Sequence, residues 1–439
     1  MNARTCSRWA GIAISAAGML AIGASGADAA PGDGGAGSRA SGQLSARAVS
    51  AGSTILNVDY RKLISRADLV YDRPVSRSEA GLPVGNGQMG TLVWTVPWAI
   101  RFQINRVDVY ANNCCTNSFF ERHSDYGFGL GFVEVSFVDF GPDVFPEDHT
   151  RQHLAVYDGL VTVKGRDVEV RVFAWHAGDV IILQVTDRRA EPQPIIISLR
   201  MLRPPVVRTR SHVARSKLYS HKGRVVLSQQ FTEDEYYCGS ALAIGVQGRE
   251  SVARLASETE AQLITPPGKG AFTVMIASAA SFDRGKDLIA SALEELDAAA
   301  TSSFAKLLED NKIWWHDFWS KAFVHLHSKD GIADWVEANY TYFLYIMASS
   351  SRGKFPPRFG GMIWKTGGDY CRWGIQHWWH NTSCYYRPIP PTNRLELMDP
   401  MFNMYTDMYD ACATAARQQW GSKGIWIPET CLLYTSPSP

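Results

Sequence analysis

The feature that most constrains this chain is a change of hydrophobic period near Asp283. From Ile55 to about Phe282 apolar residues alternate with polar ones, the period of a strand with one face in a core. Val168-Glu169-Val170-Arg171-Val172-Phe173-Ala174-Trp175 is the clearest run. Phe132 to Phe140, Ile181 to Thr186, Ile195 to Leu199, Ala241 to Val246 and Phe272 to Ala277 are further β-rich runs, each bounded by turn formers. Such strands, closely spaced with no helical pattern between them, predict a large antiparallel β-sandwich over 55–282.

Beyond Asp283 the apolar residues recur every three or four positions. Leu288, Leu293 and Leu296 mark one helix, and Phe304, Leu307, Leu308, Trp315, Phe318 and Trp319 a longer one. A short β-type segment, Ala322 to His327, follows, and together these make a helical linker over 283–330. Trp335, Tyr340, Phe343, Leu344 and Met347 predict the buried face of the next helix. Farther on, Asp399 can cap a helix, Pro400 suits its first turn, Met404, Met408, Cys412 and Ala415 keep helical spacing, and Gly421 closes it. The fold class expected is therefore multidomain α and β: sandwich, linker, then an α-helical domain over 331–430. With 439 residues the chain can bury more than one core.

Both ends read as something other than fold. Arg4 and Arg8, the apolar run Ala10 to Gly23, and Ala27-Asp28-Ala29 form the pattern of a cleavable signal over 1–29, which predicts a secreted or periplasmic protein without a membrane anchor. Residues 30–54 are rich in Gly, Ala and Ser and read as a flexible leader. The last nine residues, 431–439, break in character and are expected to be a non-native tail. The balance of 44 basic and 43 acidic residues gives no electrostatic case for nucleic acid. Seven cysteines follow the signal, among them the adjacent Cys114 and Cys115, without zinc spacing, so neither a metal nor another cofactor is expected.

Ten of the 14 tryptophans lie in the C-terminal third, and the densest stretch runs from Phe355 to Glu429. At its centre, rings alternate with imidazole, amide and guanidinium groups: Trp364, Arg372, Trp373, His377, Trp378, Trp379, His380, Asn381, Tyr385, Tyr386, Arg387 and, beyond them, Asn393. Aromatic faces suit the C–H faces of a sugar, and the polar groups between them suit its hydroxyls. The expected arrangement is a ring-lined pocket in a loop between two helices, with an oligosaccharide or polysaccharide as partner. The alternative for the tryptophans is an ordinary aromatic core, and for Asn381 a capping amide. Asp369 and Glu429 are the carboxylates that could reach such a pocket; a turn or capping role is the competing reading of each. Gly81-Leu82-Pro83-Val84-Gly85-Asn86-Gly87-Gln88-Met89-Gly90 reads as a tight turn between sandwich strands where backbone approaches backbone or a ligand.

That glycine-rich run, with Asn105 after it, resembles the opening of glycoside hydrolase family 95, which includes α-L-fucosidases. Trp315-His316 through Leu326, Tyr345 to Ser351 and Pro356-Pro357 are similar to its linker and first barrel helix. Asn381, Tyr386 to Pro388, Thr392-Asn393 and Glu396 fall at the spacing of its catalytic loop. An uncharacterised group of secreted bacterial proteins related to that family is also similar. The resemblance implies a β-sandwich, a helical linker and the start of an (α/α)6 barrel. It also implies an inverting glycoside hydrolase acting on fucose- or galactose-type sugars, with a Glu acid, an Asp base and two Asn that position water. Asn381 matches the second Asn; Trp379 stands in the place of the first. Both catalytic carboxylates are implied to lie beyond Thr430, so this chain by itself is expected to be inactive. A uronate polysaccharide lyase, using Asn381, His380, Tyr385, Tyr386 or Arg387, and a non-catalytic glycan-binding protein remain the alternatives.

Overall fold

The computed structural model describes residues 57–111, 127–137, 142–368, 377–427 and the short strand Thr430–Cys431. The signal, the leader, Cys114, Cys115, Phe140 and the tail from residue 432 onward lie outside the described residues, as do the site candidates Asp369, Arg372, Trp373 and Glu429.

Two antiparallel sheets dominate Val58–Pro439, which forms one compact unit. A ten-stranded sheet runs from an edge strand at Leu69–Tyr71 to another at Val206–Thr209, and a seven-stranded sheet runs from Val252–Leu255 to Leu82–Gly85. Alternation explains the packing. Val168, Val170 and Val172 are buried in the main core while Glu169 and Arg171 between them are only partly covered. Such a pattern fixes register, because a one-residue slip would carry the valines to the opposite face. The central strands Val180–Asp187 and Gly270–Ser281 are apolar on both faces because the outer face is also covered. There Phe173, Ile182, Ala243 and Met275 pack against Leu288, Ala292, Leu296, Phe304 and Leu307. Each such side chain, fully buried, contributes about 1.5–3 kcal/mol.

The covering helices are α2, Leu288–Ala300, and α3, Phe304–Ser320; α1 is the single turn-and-a-half Tyr60–Ile64. Asp287 caps α2 by accepting the Ala290 N–H at 3.0 Å, and Ser303 caps α3 through Lys306 N–H at 3.3 Å. Helix α4, Ile332–Ser350, packs Leu344, Tyr345 and Met347 onto Trp315, Phe318 and Trp319 of α3. Tyr345 Oη donates to Pro83 O at 2.8 Å, so the helical part is tied to the sandwich at its glycine-rich strand. Shorter helices follow: α5, Trp379–Tyr386; α6, Asp399–Asp407; and α7, Tyr409–Trp420, closed by Gly421 in the left-handed conformation. The order of strands, helical linker and helical domain is the expected one.

Three local expectations change. Ala322 to His327 is not a strand: it finds no strand partner among the described residues. The buried Arg394 binds the Ala322 carbonyl at 2.9 Å and the Phe318 carbonyl, and Glu337 accepts the Leu326 N–H. Asp399 does not cap from outside; it is the first residue of α6, where Pro400 follows it. Trp335 keeps core spacing along α4 yet is 63% exposed, because nothing described covers that flank of the helix.

Candidate functional site

The described part of the aromatic segment goes to several places. Residues 379–386 form α5 instead of a loop, and His377–Trp378 pairs as a strand with Thr430–Cys431. His377 is fully buried, with Nε2 2.9 Å from Tyr110 Oη, while Nδ1 finds no partner among the described residues. Burial, helped by the charge of Arg358, pushes its pKa down to about 3, so at neutral pH it is a neutral core imidazole. Tyr385 donates to the Phe359 carbonyl, and Tyr386 lies 2.8 Å from Ser351 Oγ. Trp364 donates to Val84 O at 3.2 Å, and Asn393, in the left-handed conformation, donates to Lys321 O at 3.0 Å. Trp378 is partly covered beside Phe359, whereas Trp379, His380, Asn381 and Arg387 are exposed, Trp379 edge-on to Tyr405. Glu396 is paired with Lys321 at 2.6 Å.

A tighter convergence of polar groups lies at the seam between the sandwich and the end of α4. The glycine-rich turn is shaped to meet that end. A Cβ on Gly85 would lie 2.2 Å from Ser349 O, and Gly87, at φ +91°, would press a Cβ into Arg352. The Gly87 N–H donates to Ser349 O at 2.9 Å. Only glycine permits this approach. Between the two, Asn86 folds its own turn: Oδ1 accepts from Gln88 N–H and Met89 N–H at 2.9 and 2.8 Å, and Nδ2 reaches Gly178 O at 2.9 Å and Asp179 Oδ1 at 3.2 Å.

Beneath the turn, Arg106 is buried in a charged cluster. It grips Asp108 with two parallel bonds of 2.8 and 2.9 Å and reaches Asp179 at 2.7 Å and Ser278 Oγ at 2.9 Å. Burial disfavours its charge, but the two carboxylates outweigh that and raise its pKa. Above the cluster a cleft of about 390 Å³ opens, lined by Asn86, Gln88, the turn His176–Asp179, Glu295 and Arg352–Lys354. A neighbouring hollow of about 490 Å³ shares Lys354 and adds Asp108, Asp283 and Lys286.

Glu295 projects from α2 and accepts the Asp179 N–H at 3.2 Å; burial raises its pKa, and no cation pairs with it among the described residues. Arg352 lies with its guanidinium 3.8 Å from the Trp314 ring centre and donates from Nε to Ala348 O at 2.6 Å; burial pulls its pKa down to about 9. The His176 ring stacks over Trp314 as well, and burial, then Arg352, lowers its pKa. The cleft thus assembles two carboxyls, two cations, an imidazole and two amides from four separate stretches, a composition able to hold a polyhydroxylated or charged ligand.

Sequence reasoning singled out Asn86 and Gln88 only within a motif read as a turn; it missed Arg106, Asp108, His176, Asp179, Glu295, Arg352 and Lys354. Asn86-Gly87 followed by alternating Arg106 and Asp108, which share one face of a strand, was the signal present. Among the described residues no three His, Cys, Asp or Glu side chains converge to hold a metal ion, and no helix is long and apolar enough to cross a membrane.

No protein-family model matches the sequence, and no curated protein matches it. Solved structures do. One from the human microbiome, provisionally assigned as a kojibiose phosphorylase, superposes with a TM-score of 0.51 at 12% identity, over 83% of this chain and 52% of that one. A glycosyl hydrolase of family 92 matches with TM-score 0.38 and 11% identity over 67% of this chain and 42% of that one. A family 92 α-mannosidase from Bacteroides thetaiotaomicron gives 0.35 and 9% over 68% and 41%. The first likeness is one of fold, a sandwich followed by helices; the other two are too slight to carry an argument. The chain spans about half the length of the phosphorylase-like structure it matches.

Proposed function

We propose that this chain belongs to an exported carbohydrate-active enzyme that breaks α-linked glycosidic bonds, with fucose- or galactose-type sugars as the first substrates to test and inverting hydrolysis as the reaction. The observation that carries the reading is the seam cleft. In it, Glu295 accepts the Asp179 N–H, and Arg352 and Lys354 line the same cleft where the sandwich meets the first long helix of the helical domain. Carboxylates and amides set in this way accept pairs of vicinal hydroxyls, while a guanidinium stacked on a ring donates to ring and glycosidic oxygens. The fold shared with a phosphorylase-like protein supports only the carbohydrate-active class; the sugar type and the inversion rest on the resemblance to family 95. On this reading the seam contributes substrate contacts. The acid and base that inversion needs are a separate matter.

The test is a titration of the full chain with α-fucosyl, α-galactosyl, α-glucosyl and α-mannosyl oligosaccharides by calorimetry, followed by turnover of the corresponding aryl glycosides. Saturable binding of at least one sugar is expected, weakened about tenfold in Glu295→Gln through loss of a charged hydrogen bond. Absence of binding across the whole panel sinks the reading. An absorbing unsaturated uronate product would replace it with a lyase.

A further inference from the structure

The same cleft is unbalanced in a way that neutral sugars do not require: its unsatisfied groups are nearly all donors. Arg352 uses Nε on the Ala348 carbonyl, which leaves Nη1 and Nη2 with no hydrogen-bond partner among the described residues. Lys354 lies 5.3 and 5.6 Å over the Phe355 and Phe282 rings, and no carboxylate among the described residues pairs with its ammonium. Gln88 gives its Oε1 to the Lys354 N–H at 2.7 Å, which frees its amide nitrogen as a third donor.

Most acceptors nearby are already engaged, Glu295 Oε1 excepted. Asp108 is held by both forks of Arg106, Asp179 by Arg106 and Asn86, and one oxygen of Glu295 by the Asp179 N–H. The two cations are two positions apart, joined by Gly353, which is pressed onto the Gly87–Gln88 turn, and both line the same cleft. Gly353 itself leaves no room for a side chain, since a Cβ there would stand 2.2 Å from Gln88 Oε1. Clustered donors of this kind, a partly covered Arg beside an exposed Lys, are the chemistry that recognises phosphate and carboxylate.

We propose that the seam cleft binds an oxyanion between Arg352, Lys354 and Gln88. Free orthophosphate and the carboxylate of a uronate-bearing glycan share that chemistry. The inference rests on the glycan-processing reading above, since it names the charged group that such a site would accept. Burial that lifts the Glu295 pKa favours its protonated form, which adds a fourth donor as pH falls; the charged groups around it are Asp179, Arg106, Arg352 and Lys354, with His176 opposite.

The experiment titrates the full chain with inorganic phosphate, glucuronate and glucose at low and high sodium chloride. Wild type, Lys354→Gln, Arg352→Gln and the remote surface variant Lys269→Gln are compared. Phosphate or glucuronate is expected to bind and glucose to bind more weakly. Affinity should fall about tenfold in Lys354→Gln, fall with salt, and stay unchanged in Lys269→Gln. Arg352→Gln also removes packing on Trp314, so the exposed Lys354 carries the decision, with melting curves as the folding control. Tighter binding of phosphate than glucuronate assigns the free anion, and the reverse assigns an acidic glycan. Anion binding that is absent, or equal in Lys354→Gln and Lys269→Gln, overturns the inference. Neutral α-glycosides binding without any anion would overturn it and leave the glycan reading standing. Anion binding with no glycan bound would do the opposite.

Discussion

In residues 364–393, Trp364, Tyr385, Tyr386 and Asn393 each direct a polar edge at another part of the fold, whereas at the seam Gln88, Arg352 and Lys354 keep polar ends open. Both regions are dense in aromatic and hydrogen-bonding side chains. The difference lies in what the backbone around them lacks. The loop at Phe359, the end of α3 at Lys321 and the edge strand at Val84 each offer a carbonyl there, and buried carbonyls recruit whatever donors are near. At the seam the glycine-rich turn satisfies itself through Asn86, so the cations beside it are left over. If the seam binds as proposed, an excess of donors relative to acceptors is a better mark of a site than a count of rings.

The largest effect that could break this comparison sits beneath the seam. Arg106→Leu removes the cation from between Asp108 and Asp179 and leaves two carboxylates in a mostly buried position. The expected loss is about 3–5 kcal/mol in urea unfolding. Arg387→Leu, exposed in the aromatic segment, should stay within about 0.5 kcal/mol. Similar losses in both variants would show that the buried cluster has no special weight.

The next effect belongs to His377. Its folded pKa of about 3 lies below the ordinary value of about 6.5, so on acidification the unfolded chain takes up the proton first. The stability it contributes is complete above about 6.5 and is lost as pH falls toward 3. The slope is at most about 1.4 kcal/mol per pH unit. His377→Gln should flatten the stability–pH curve by about 2 kcal/mol between pH 7 and pH 5. An unchanged slope would mean that His377 titrates normally, and its assignment to the core would fail.

The strands of the sandwich were legible because their burial is local in sequence. Val168, Val170 and Val172 announce one face by alternation, and Leu288 with Leu296 announces the helix that covers the other. The seam was not legible in the same way. His176, Asp179, Glu295 and Arg352 are brought together by a strand turn, a helix on the outer face and the end of α4, and no spacing in the sequence encodes that meeting. Trp335 shows the limit from the other side, since helical spacing identifies a face but not whether anything lies against it. At 63% exposure, Trp335→Ala should cost about 1 kcal/mol or less, against about 3–5 kcal/mol for the buried Trp315→Ala. Melting curves for the two variants would separate them, and equal losses would mean that the Trp335 flank is covered in solution.

The smallest effect sharpens the comparison most. Asn381 is exposed in the first turn of α5, and no hydrogen bond fixes its side chain among the described residues. Asn381→Ala replaces a poor helix former with the best one, so stability should change by no more than about 0.5 kcal/mol. If the seam is where sugars are held, glycan affinity in Asn381→Ala should match wild type while Glu295→Gln weakens it about tenfold. The family 95 resemblance makes a different demand: Asn381 positions water, so its loss should leave affinity intact and lower turnover by about 10²–10³-fold in any form that turns over. Binding and turnover measured on the same two variants therefore sort three cases. Loss of affinity in Glu295→Gln alone keeps the seam as the sugar site. Loss of turnover with affinity intact in Asn381→Ala adds the family role to it. Loss of affinity in Asn381→Ala with none in Glu295→Gln would move the sugar from the seam to the exposed face of α5, where Trp379 and His380 flank Asn381.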